Sequence, residues 1–222
     1  MSLDFSPVFN DFEYLMHGTG VTIGITLASL VLSMVVGLFV GIARLKPENR
    51  VIYGLASTYV GFFRGTPLLV QLFIFFYGLP QLGVMLPAFF CGIIGLGLYS
   101  GAYVSEIVRG AIQSVDRGQI EAARSIGMSQ GQAMRVVILP QAVVRMVPPL
   151  GNEMIALIKN SALVSLLTIS DLMHEAQIII STSYRSLEVY LAVAVIYFIL
   201  TSAAGWSLRL VEKRLRKKGG LQ

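Results

Sequence analysis

Charge is what this 222-residue chain has least of. Asp, Glu, Lys and Arg make up 13% of it, where soluble domains carry roughly a quarter, while 55% is apolar and the mean hydropathy is +0.73. That balance excludes an ordinary soluble fold and implies an integral membrane protein. Cysteine is nearly absent. Cys91 stands alone, so no disulfide or thiolate metal cluster can form within one chain, and a buried apolar role is left to it. Histidine is limited to His17 and His174, and His174-Glu175 lacks the second histidine of a zinc-binding H-E-x-x-H. This argues against a metal site and against an intramembrane hydrolase built on His174. No P-loop G-x-x-x-x-G-K-[ST] occurs, and Gly95-x-Gly97 is a fragment inside an apolar run. If ATP is consumed, another chain binds it. Internal repeats of about 20–50 residues are also missing, which weakens an autonomous channel or secondary carrier, since carriers are commonly built from two related halves.

What is there is a series of apolar runs. A crossing takes about 20 residues, and five are expected. Residues 19–43 form the first, with Gly20/Gly24 and Gly37/Gly41 at the four-residue spacing that permits close helix approach. Asp4, Asp11 and Glu13 precede it where a signal peptide would be basic, and no A-x-A site comes after it, so the run reads as a retained span. Residues 51–63 are too short to cross and are interrupted at Arg64-Gly65-Thr66-Pro67. Because proline disfavours helix in the residue before it, the second span is expected at 67–79, with the preceding segment oblique or interfacial. Pro80 and Pro87 bracket the next turn, and 88–110 give the third span. Beyond residue 140, Pro140, Pro148 and Pro149 divide the chain into a short piece at 141–148 and a fourth span at 150–169. Residues 170–186 are expected outside the membrane, and 187–208 form the fifth span.

The basic residues sit at the ends of these runs, which is an orientation pattern and argues against a nucleic-acid partner. Nine of them (Arg44, Lys46, Arg50, Arg64, Arg109, Arg117, Arg124, Arg135, Arg145) and the six of the tail from Arg209 to Lys218 fall on one side, 15 of 17. Only Lys159 and Arg185 fall elsewhere. The positive-inside rule therefore places the 115–140 loop and the C-terminus in the cytoplasm and the N-terminus outside.

That loop carries its own helix punctuation. Asp116 with Gln119 reads as a cap opening one short helix, and Ser129 with Gln132 reads as a capping box opening another. Gly127 between them suits a left-handed turn. Glu121 is expected at the start of the first helix, where the helix dipole favours a carboxylate. A compact polar unit between spans has the form of a docking element for a soluble partner.

The order Glu121-Ala122-Ala123, Gly127, Val137, Leu139-Pro140 resembles the EAA loop of the membrane subunits of ABC importers, with Val137 where the family usually shows isoleucine. Arg64-Gly65-Thr66-Pro67-Leu68, Gly101-Ala102-Tyr103 and Lys159-Asn160-Ser161 extend the resemblance to the polar amino acid permeases over roughly residues 15–215. It implies an all-α membrane subunit of the type I, MetI-like fold in a bacterial inner membrane. It also implies ATPase subunits that dock on Glu121, Ala122, Ala123, Gly127, Leu139 and Pro140 and use the ATP and Mg, with no cofactor in this chain. A second permease subunit, identical or homologous, and an extracytoplasmic binding protein would complete the importer.

Within the fourth span Glu153 and Asn160 are seven residues apart and share a helix face. Ionisable groups at membrane depth usually face a cavity or a partner, although a packing role for both is an open alternative. In the resembling permeases this Lys-Asp/Asn-Ser/Thr region lies at the substrate chamber. The resemblance thus implies a pathway of Glu153, Asn160 and Ser161, with Gln71, Thr66, Tyr99, Ser100 and Tyr103 as further candidates. Where those relatives have Asp this chain has Asn160, which favours a glutamine- or glutamate-like substrate over a cationic one. Glu153 argues partly against that preference.

Overall fold

The structure, a computed structural model, describes residues 3–45 and 47–219, and the side chains of 216–219 fall outside that description. Lys46 and the side chains of Arg216, Lys217 and Lys218, which contribute to the orientation pattern, therefore lie outside the described residues. The described chain consists of helices and turns: α1 (Ser6–Asn10), α2 (Phe12–Ala43), α3 (Arg50–Gly65), α4 (Leu68–Gln81), α5 (Ala88–Gln113), α6 (Arg117–Ser125), α7 (Gln130–Leu167), α8 (Leu172–Ser183) and α9 (Ser186–Gly219). Four of them, α2, α5, α7 and α9, are long and apolar enough to cross a membrane, and the pair α3/α4 makes a fifth span if it counts as one.

α3 and α4 meet at a bend of 109°. The bend lies at Thr66-Pro67, both in extended conformation, as the restriction before proline requires. α2 has apolar residues around its whole circumference rather than on one stripe, the pattern of a helix surrounded by lipid and protein. Without a hydrophobic force between helices in lipid, close packing of small residues holds them. A Cβ on Gly37 would lie 2.4 Å from the Val104 side chain, and one on Gly41 would lie 2.9 Å from the Ser105 carbonyl. These two glycines let α2 and α5 touch, whereas Gly20 and Gly24 face open space.

The prolines act differently from expectation. Pro148 and Pro149 lie inside one continuous helix, Leu139–Asn160, so the short piece at 141–148 and a span beginning at 150 merge into α7. Flanking packing supports the helix where the two N–H groups are missing, with Ala142 and Met146 buried on one side and Gly151 pressed on Leu208. Pro140 and Pro80 likewise sit within α7 and α4. Each is separated by one leucine from a π-helical turn, Met134–Ile138 and Ile74–Gly78. A proline ring clashes with the carbonyl four residues back, and a wide turn placed there gives it room. The segment expected as an extramembrane connection, 170–186, contains α8. Its residues Leu172, Ala176 and Ile179 are buried at helical spacing.

Three apolar clusters stack along the bundle. Ile25, Leu72, Leu96, Leu157 and Val164 form the middle one. Val108, Ile112, Ile138 and Ala142 close the end bearing α6, and Leu15, Leu172, Ile179 and Val189 close the end bearing α8.

Candidate functional site

The loop between α5 and α7 folds as its residues predict. The Asp116 side chain accepts from Gly118 N at 2.7 Å and caps α6. Ser129 and Gln132 form a reciprocal capping box at the start of α7. Gly127 has φ +88°, the left-handed conformation that favours glycine, and its backbone N–H bonds back to Arg124 O at 3.0 Å. A Cβ at Gly127 would meet no atom within 4 Å, so the requirement for glycine is conformational and not steric. Ala123 and Ala133 are buried seats, while Glu121, Ala122, Arg124 and Ser125 are exposed. Ile126 is 75% exposed at the tip. Glu121 is the fifth residue of α6 and not in its first turn, so the helix dipole does little for it and its carboxylate is simply presented outward. Leu139 packs on the cluster beneath, and Pro140 is held by the π-helical turn before it. Arg145 of α7 bonds the Ser114 carbonyl and, at 3.0 Å, its hydroxyl, tying α7 to the C-terminal end of α5.

A charged cluster that the sequence did not reveal lies near the same end. Glu106 of α5 receives Arg109 at 2.6 Å, Arg44 at the end of α2, and Arg64 of α3 at 3.8 Å. Arg44 also donates to Ser57 at 3.3 Å. One carboxylate thus gathers the ends of three helices. The signal available in sequence was an acidic residue within an apolar run, three residues before an arginine.

Arg64 leads inward. Its guanidinium carbon lies 5.3 Å from the centre of the Tyr103 ring, within cation–π range. The Tyr103 hydroxyl meets that of Tyr99 at 3.2 Å. One residue on from Tyr99, Ser100 donates to the Glu153 carboxylate at 2.8 Å. The structure therefore brings Tyr99, Ser100, Tyr103 and Glu153 into one polar seam between α5 and α7.

Thr66 and Gln71 lie together elsewhere. Gln71 is 1% exposed and its Nε2 donates to Phe63 O, Thr66 O and Thr66 Oγ1 at 3.0, 3.2 and 2.8 Å. This braces the bend between α3 and α4. Asn160 is half-buried at the point where α7 tightens into a 3-10 turn, Ser161–Leu167. Ser161 is fully buried and donates to Ile158 O at 2.7 Å. Among the described residues no group of three or more His, Cys, Asp or Glu could hold a metal ion.

Comparison with known proteins supplies the frame for these features. The family model described as "Binding-protein-dependent transport system inner membrane component" matches residues 33–217. The chain is 38% identical over 215 residues to the probable glutamine ABC transporter permease protein GlnM of Bacillus subtilis (strain 168), covering 97% of this chain and 99% of that one. It superposes on the crystal structure of an amino acid ABC transporter with histidines at a TM-score of 0.91 and 42% identity, over 96% of this chain and all of the other. An inward-facing MetNI methionine ABC transporter shares the fold at a TM-score of 0.76 and 23% identity, over 92% of this chain and 97% of that one.

Proposed function

The chain belongs to the family of binding-protein-dependent transport system inner membrane components, and on that premise we propose that it moves a polar amino acid through a polar seam when an ATPase acts on α6. It is an amino acid ABC transporter permease, a multi-pass membrane subunit whose ATPase is a separate chain. In the proposed arrangement the N-terminus and α8 face outside, and α6 and the C-terminus face the cytoplasm, as the distribution of basic residues favours. A second permease subunit supplies the other wall of the pathway, an external binding protein delivers the amino acid, and ATP with Mg is used by the ATPase alone. The pathway side of this chain is Tyr99, Ser100, Tyr103, Glu153, Asn160 and Ser161, with Gln71 and Thr66 shaping the bend beside it. Asn160 in place of a carboxylate favours glutamine- or glutamate-like substrates. Transport proceeds by alternating access.

The observation that carries this reading is the capped unit around Gly127, exposed at one end of the bundle and seated on α5 and α7 by Ala123, Leu139 and Arg145. The test is crosslinking. Cys91 is buried, so Glu121→Cys in a Cys91→Ala background gives one reactive site. Capture of the ATPase from Glu121→Cys and from neighbouring exposed positions is expected, and failure at all of them would refute docking there. Uptake by membranes that lack the ATPase would replace the reading with an autonomous carrier.

A further inference from the structure

The end of the bundle that bears α8 is acidic. Asp4, Asp11, Glu13, Asp171, Glu175 and Glu188 lie on or beside α1, α2, α8 and α9 there, with Arg185 among them. Arg185 is engaged with Asp4 at 3.9 Å and Glu188 at 3.6 Å, and among the described residues the other carboxylates here have no ion pair. Among them Glu175 is unusual. It is 8% exposed, and among the described residues its carboxylate has no hydrogen-bond donor within 3.5 Å and no basic group within 4.0 Å.

Its position is built in. Asp171 caps α8 by accepting from His174 N at 3.0 Å, which puts Glu175 in the first turn, a favourable place for a carboxylate. Gly18 lets α8 close on α2, since a Cβ there would lie 2.9 Å from both the Asp171 backbone and the Glu175 side chain. Glu175 then lines two adjoining cavities of about 340 and 410 Å³ that share Tyr14. Asp11, Ile178, Ile179 and Thr182 complete one, and Glu13 and His17 complete the other.

Glu175 is covered along its length but presents its carboxylate to a notch open to solvent, and a cation is the electrostatic complement of such a notch. We propose that the notch between α2 and α8 receives a lysine or arginine side chain of the external binding protein when that protein docks. The assignment rests on the importer reading and on the proposed orientation. A metal ion does not fit, because no group of three such ligands converges among the described residues. A long basic side chain does. Ile178 and Ile179 offer an apolar wall for its methylene stem, the exposed Tyr14 ring offers a face for its charge, and Glu175 meets its tip, with Asp11 lining one cavity and Glu13 the other. The notch also opens at the end of the bundle, apart from the seam at Ser100 and Glu153, so a docking protein reaches it without entering the pathway.

The test uses the complete transporter in lipid nanodiscs and its purified, fluorescently labelled cognate binding protein. Glu175→Gln is expected to weaken binding about tenfold, and Asp11→Asn with Glu13→Gln to weaken it less. Added salt should weaken the wild type more than the Glu175 variant. Glu175→Lys should be rescued by the reciprocal Lys→Glu or Arg→Glu change on the binding protein. ATP hydrolysis without binding protein reports assembly, and if Glu175→Gln loses it, the pair of half-buried Asp11 and exposed Glu13 decides. Wild-type affinity in the Glu175 variant and in the pair overturns the assignment. A wild-type complex that binds no binding protein overturns the importer reading, and the notch with it.

Discussion

Ser100 on α5 donates its hydroxyl to the carboxylate of Glu153 on α7 at 2.8 Å. A hydrogen bond to a charged group contributes about 1.5–3 kcal/mol. Ser100→Ala is therefore expected to lower the thermal unfolding midpoint of the detergent-purified protein. Glu153→Gln, which keeps an acceptor, should lower it less. Equal midpoints for Ser100→Ala and wild type would mean that the bond does not hold α5 to α7.

Asn160→Asp adds a negative charge at a half-buried position, where charge interactions are screened less than at the surface. If Asn160 lines the pathway, uptake of glutamate should fall most and glutamine less, and arginine should gain entry when the binding protein delivers it. Uptake of all three into vesicles carrying the full complex is the measurement. An unchanged profile with normal expression would make Asn160 a packing residue.

Gly127→Val forces a β-branched residue into the left-handed region at a cost of roughly 1–2 kcal/mol. With no atom within 4 Å to clash, the chain should still insert while ATP-coupled uptake is abolished. Gly127→Asn tests the cause, because asparagine tolerates that conformation. Uptake close to wild type is expected for Asn, and failure of both variants alike would point to a steric role.

Neutralising Glu106 leaves Arg44, Arg64 and Arg109 facing one another. The four side chains are partly exposed, from 13% to 45%, so the penalty is expected below the ~3–5 kcal/mol of a fully buried pair, at about 1–3 kcal/mol. Glu106→Gln should therefore unfold earlier than Arg64→Gln, whose contact is the longest. Concentrated salt should narrow the gap. A reversed order would show that Arg64 acts mainly through Tyr103.

Burial pushes the Asp171 carboxyl up from its ordinary 3.8 to about 6. A folded-state value above the unfolded one means that protonation favours the fold. Its stabilising contribution is complete below about 3.8 and is lost as pH rises through about 6. Lowering pH through that window should stabilise the wild type relative to Asp171→Asn by on the order of 1–3 kcal/mol. Asparagine keeps the cap on α8, so parallel pH profiles for the two proteins would exclude Asp171 as the titrating group.

Local chemistry was legible in the sequence and distant pairing was not. Asp116, Gly127, Ser129 and Gln132 each act on backbone within three residues, so their pattern predicted the capped unit around Gly127 before any coordinates. The five-span count came from apolar length alone. Glu106 escaped because its partners come from α2 and α3, and those arginines read equally well as orientation charges. Proline was overread at Pro140, Pro148 and Pro149: the rule that proline ends a helix holds where the backbone has no other support, and here neighbouring helices and a π-helical turn provide it. The bracing of the bend by Gln71, whose Nε2 donates to Phe63 and Thr66, was likewise not legible, because its polarity alone does not say which backbone it meets.

The continuity of α7 through its prolines has a mechanical consequence. At 1.5 Å per residue its 38 residues make a rod roughly 57 Å long, and the 23 residues between Gln130 and Glu153 are a lever arm of roughly 35 Å. A tilt of about 10° about Glu153 displaces the Gln130 end by roughly 6 Å, while Asn160, on the short arm, moves by about 2 Å. The rod is most compliant where Pro148 and Pro149 deprive the Val144 and Arg145 carbonyls of their helical donors. Under the proposed coupling, coarse travel at the Gln130 end would be geared down to fine adjustment beside the polar seam.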